Sequence, residues 1–177
     1  MLRGLRPRSY LTRSQLSCGV RRAHRHSRGM TQADSLYAEL KPDVQTIAAP
    51  LMDFGEQQVR KNGGFLPFGA TLTQSGEVAL QAAMPERDPA TSDDVLPLVM
   101  QGLEVAAGRA GITAVAVAEW VKIAEPGQEL RDAIKVQVHH RRGLAVTLYT
   151  PATKRLLRGW NFGETIARAG EALIMSW

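Results

Sequence analysis

An α+β domain on a mainly antiparallel, five-stranded sheet is what this chain encodes, and three patterns carry that expectation. Residues 65–84 alternate in polarity about a Gln74-Ser75-Gly76 turn, so two strands agree on which side meets a core. Leu96, Val99, Leu103, Ala106 and Ala110 recur at helical spacing. Residues 112–148 hold three further apolar strands separated by turn signals. The order α-ββ-α-βββ offers few parallel crossovers, so the helices are expected to pack on an antiparallel sheet.

The hairpin fixes its own register. Gly76 suits the left-handed position of a three-residue loop, which pairs Thr73 with Glu77. Leu72 then faces Val78, Ala70 faces Leu80, Phe68 faces Ala82 and Leu66 faces Met84, all apolar. A slip of one residue would turn every one of them to the other side. Pro67 has no N–H to donate, which suits a frayed or edge start.

At 177 residues the chain is long enough for a real core. Its formal charge of +5 belongs to one end: residues 1–30 carry eight arginines and no acid, and the other 14 basic residues face 17 acidic ones, a net of −3. The body is mildly acidic, which argues against nucleic acid as its partner. Residues 1–29 lack the apolar stretch of a secretory signal; they read either as a disordered leader of transit-peptide type or as sequence upstream of a start at Met30. The first option implies a mitochondrial protein and the second, which is favoured, a cytoplasmic one. The domain is expected over residues 30–177. Cys18, the one cysteine, lies in the leader, so the chain has no disulfide framework. No run reaches the roughly 18 apolar residues of a membrane span.

Taken in order, Asp34 or Ser35 caps a short first turn, and Pro42 opens a helix carrying Val44, Ile47, Leu51 and Phe54. Pro50 is expected to kink or divide it, and Asn62-Gly63-Gly64 to stop it. After a polar loop, Asp93 or Asp94 caps a second helix that Gly111 ends. Residues 112–124 are apolar on both faces, as a central strand is. Residues 132–140 alternate, Arg141-Arg142-Gly143 makes a second hairpin turn, and the returning strand ends at Pro151. Beyond it, Leu156, Leu157, Trp160 and Phe162 suit a short strand or flap, and residues 163–168 a helix.

This element order is similar to that of profilin-like and roadblock-type folds, a likeness of order alone. The stretch Gly64-Phe65-Leu66-Pro67-Phe68-Gly69-Ala70, followed by a strand and Ser75-Gly76-Glu77, resembles the opening hairpin of a family of small uncharacterised bacterial α+β proteins. The resemblance spans residues 35–150. It implies the fold and carries over no catalytic residue.

Candidate chemistry is sparse. His139 and His140 are consecutive strand residues and point to opposite faces, so they do not readily share a metal; no metal site and no cofactor is expected. Glu119 shares a face with Val115, Val117, Val121 and Ile123, where a carboxylate needs a partner. His139, His140 or Arg141 on the next strand would supply one, and such a pair could serve as acid and base, though structural ion pairs look the same. Arg141 and Arg142 at a hairpin tip could meet an anion. Trp160 and Phe162, with Trp177, are aromatics near the chain's end that would mark a partner surface if left uncovered. The sequence favours a non-catalytic interaction or scaffold module that self-associates through a sheet edge or these aromatics. Its alternative is a small-molecule binder or modest enzyme using Glu119 with the turn at 139–142.

Overall fold

The computed structural model of the chain describes residues 32–84, 89–124, 129–156, 159–175 and 177; the arginine-rich leader, the 125–128 turn and Leu157 lie outside them. Among the described residues the elements run α1 (Gln32–Asn62), β1 (Phe68–Thr73), β2 (Val78–Ala82), α2 (Ser92–Ala107), β3 (Ile112–Ile123), β4 (Arg131–His140), β5 (Leu144–Arg155), β6 (Gly159–Phe162) and β7 (Ile166–Ala169). The strands form one sheet in the order β2-β1-β3-β4-β5-β6, with β7 also beside β5, and neighbours are antiparallel. The α+β class is as expected; the strand number is seven rather than five, because the chain's end adds two short ones.

Pro50 does not divide the first helix, and Pro42 lies well inside it. A proline removes the bond to the carbonyl four residues back, at Ala38 and Thr46 here. Both residues are exposed, so water can serve those carbonyls. The buried stripe of Leu40, Val44, Ile47 and Leu51 runs on without a break. The helix stops at Asn62, with Gly63 at φ +82°.

The β1–β2 register is the expected one, from Phe68 opposite Ala82 to Leu72 opposite Val78. Thr73 donates its N–H to the Glu77 carbonyl at 2.9 Å, and Gly76 takes φ +84°. Leu66 and Met84 fall beyond the ladder. Phe68, Ala70 and Leu72 are buried beneath α1, but Leu80 opposite Ala70 is 49 % exposed. The reason is lateral: α1 lies mainly across β3 and β4, and β2 is the sheet's outermost strand.

Helix α2 begins earlier than expected. Thr91 is its N-cap and Asp94 its third residue, whose carboxylate accepts from the Thr91 N–H at 2.9 Å and from its hydroxyl at 2.7 Å. Those hydrogen bonds lower the pKa of Asp94. Gly108, not Gly111, is the C-cap. The buried row is Val95, Val99, Leu103, Ala106 and Ala107. β3 is the central strand expected: Ala114, Ala116 and Ala118 join the α1 core, while Val115 and Val117 join a second core beneath α2.

Pro151 does not end β5, which runs to Arg155. Its carbonyl accepts from Gly163, so its N-side also faces the outer partner, where the ladder is broken. Ala152 pairs with Phe162 and Tyr149 with Ile166, so three steps on β5 are met by four on the partner. Such a bulge is a position that tolerates proline. Residues 166–169 are consequently strand rather than helix: β6 and β7 are one edge strand interrupted at the bulge.

Candidate functional site

The residues singled out in the sequence sit in three places. The first is the β4–β5 turn. His139 faces α2 and the chain's end; His140 faces α1, so the two are separated by the sheet as expected. The Nδ1 of His140 accepts from the Arg142 N–H at 3.2 Å, and a backbone N–H can only donate. Nε2 therefore carries the hydrogen and donates it to Asp43 at 3.2 Å. Arg142 grips Glu39 with both arms, at 2.5 and 2.9 Å, which holds the Glu39 carboxyl below its ordinary value. Glu39 and Asp43 are one helical turn apart on α1, so these contacts clasp the hairpin tip to that helix.

On the other face, Arg141 and the indole N–H of Trp177 both donate to the Ala107 carbonyl, at 2.8 and 3.1 Å. That carbonyl belongs to the C-terminal turn of α2, where unpaired acceptors and negative partial charge favour a cation. The Arg141 guanidinium lies 5.5 Å from the Trp177 ring centroid, and the His139 ring 5.2 Å from it. His139 accepts from the Ile174 N–H at 3.2 Å. Burial lowers its pKa.

The second place is β3. Glu119 is 9 % exposed and bound by Lys135, directly opposite on β4, at 3.0 Å. His139 pairs with Val115, four residues back along β3 and about 13 Å away. The carboxylate and the turn at 139–142 are not brought together. Among the described residues no cluster of three or more His, Cys, Asp or Glu has the spacing of a metal site.

The third place is the aromatic end. Trp160 meets Trp120 edge to face at 5.5 Å, and Phe162 packs on the α1 core beneath Arg60, 4.8 Å away. Trp160, Phe162 and Trp177 are thus each engaged within the chain.

What the sequence did not single out is β2. Glu77 turns its carbonyl to β1, so by the two-residue period Val78, Leu80 and Ala82 turn theirs, and their N–H groups, to the open edge. The strand Val-Ala-Leu-Gln-Ala bears no charge and no proline, the devices that normally blunt an edge. Leu80, Leu66 and Met84 lie exposed. On the other side of the sheet, Gly102 of α2 faces β2, since a Cβ there would sit 3.6 Å from the Gln81 side chain. Leu98 and Val105, one turn before and after it, are exposed on that flank.

Compared with known proteins, the chain matches no family model, no curated protein and no solved structure. Among the described residues no helix is long and apolar enough to cross a membrane. Fold and geometry define an α+β protein in which, among the described residues, no strand pairs with the outer edge of β2.

Proposed function

We propose that this chain is a non-catalytic protein-interaction module whose partner is a second copy, joined through β2. The observation that carries the reading is the uncharged edge of β2, which no described strand covers, with exposed apolar side chains on both faces. A two-fold interface sets each residue against its own strand. Centred on Leu80, antiparallel pairing puts Leu80 opposite Leu80 and Val78 opposite Ala82, apolar against apolar, and no like charges meet. Each such pair exchanges two backbone bonds. The C-terminal aromatics support this choice of surface indirectly, because their rings are used within the chain.

Amide hydrogen exchange at two protein concentrations tests the reading. The amides of Val78, Leu80 and Ala82 gain protection as concentration rises, while those of Ala79 and Gln81, turned toward β1, change little. Exchange at all five that is independent of concentration overturns it.

A further inference from the structure

Past β7 the chain crosses the sheet face beneath α2 as a strap with no regular element among its described residues. At the strap's root, Gly170 donates its N–H to the Ala145 carbonyl at 3.0 Å. It lies so close to β5 that a Cβ would stand 2.9 Å from the Val146 carbonyl carbon. Further on, Ile174 is buried with Val115 and Val117, and Leu173 and Trp177 pack against the same group. Among the described residues two hydrogen bonds hold this part down. One runs from the Ile174 N–H to Nδ1 of His139, the other from the Trp177 indole to the Ala107 carbonyl. Only the first has an acceptor that a proton can cancel.

We propose that this strap is an acid-released latch: protonation of His139 frees the chain beyond Gly170 from the sheet, while Gly170 stays seated on β5. A neutral imidazole can leave Nδ1 open as an acceptor, but an imidazolium carries hydrogens on both nitrogens. The protonated ring would set a donor against the Ile174 N–H at a position only 6 % exposed, where burial already disfavours the charged form. The Trp177 ring could receive a cation, yet it already faces the Arg141 guanidinium at 5.5 Å, and like charge offsets that gain. The neighbouring strands set Val115 and Ala145 opposite His139, neither of them charged. Glu104 on α2 and Glu171, the strap's own acid, are exposed. His140 turns to Asp43 across the sheet. Once the strap is released, His139 meets water and takes up its proton near pH 6.5. The open form then binds the extra proton, so acid favours opening, by up to about tenfold between pH 7.5 and 5.5.

Amide exchange of the whole chain, expressed as protection relative to an unstructured chain at the same pH, reads the latch. Protection of the Ile174 amide and of the Trp177 indole N–H falls together, by up to about tenfold, from pH 7.5 to 5.5. At both values Ile174 is less protected than Ala116, which pairs with both β1 and β4, so the opening is local. His139→Gln, whose side-chain carbonyl accepts the same bond, keeps the strap closed and removes the pH dependence. His140→Gln leaves that dependence in place. The proposal is overturned by protection at Ile174 equal to that of Ala116, by protection that does not fall in acid, or by a pH dependence that His140→Gln removes and His139→Gln does not.

Discussion

Ile174 donates its backbone N–H to Nδ1 of His139 at 3.2 Å, a bond that exists only while the imidazole is neutral. Burial opposes the charged ring, and the folded pKa of His139 lies below its ordinary value. The unfolded chain takes up the proton near pH 6.5. Between that value and the depressed one the unfolded state binds more protons, so stability is full above about pH 6.5 and falls as pH drops through it. Urea midpoints at pH 7.5 and 5.5 read this directly: the midpoint is lower in acid, and His139→Gln, whose carbonyl can accept the same bond, loses this contribution. A midpoint that rises in acid, or an identical slope in the variant, contradicts it.

The Glu119–Lys135 bridge makes a prediction about stability. Lys135→Met leaves a nearly buried carboxylate without its partner and costs on the order of 2–3 kcal/mol, somewhat less than for a fully buried pair. Replacing both, as Glu119→Leu with Lys135→Met, recovers most of that loss, because apolar side chains there need no partner. Denaturant unfolding of the three variants checks the sign at each step. A double variant less stable than Lys135→Met would show that the pair does more than satisfy its own charges.

Gly69 makes room for α2. A Cβ at this position would come within 3.0–3.1 Å of three atoms of Leu103. Gly69→Val therefore costs about 1–3 kcal/mol through overpacking. In a Leu103→Ala background the same change costs less, since the obstructing atoms are gone, and a double-mutant cycle measures the difference. Additive losses would mean that the two residues do not press on each other.

How far these features could be read from the sequence depends on their range. The β1–β2 register was legible because one glycine turn and two alternating strands constrain each other locally. Pro50 misled because its effect depends on whether the orphaned carbonyl faces water, which the helix's orientation decides. Residues 166–169 misled because Ile-Ala-Arg-Ala suits either structure, and pairing with β5 settled it. The sequence offers His139, His140 or Arg141 as the partner of Glu119. Yet counting outward from Pro126-Gly127 places residue 134 or 135 opposite Glu119, so Lys135 was within reach. The bare edge of β2 left no local signal, because strand order is set by contacts far apart in the chain.

Sedimentation of Leu80 charge variants tests the self-pairing account most directly. Leu80 is half exposed, so the fold tolerates lysine or glutamate there. The unaltered chain should sediment as a dimer. Leu80→Lys and Leu80→Glu, each setting like charges directly opposite across the two-fold, should sediment as monomers, and their equimolar mixture should return to the dimer. An unaltered chain that stays monomeric at about 1 mM, where even a −4 kcal/mol association is appreciably populated, would contradict the account. So would a dimer that both charges leave intact.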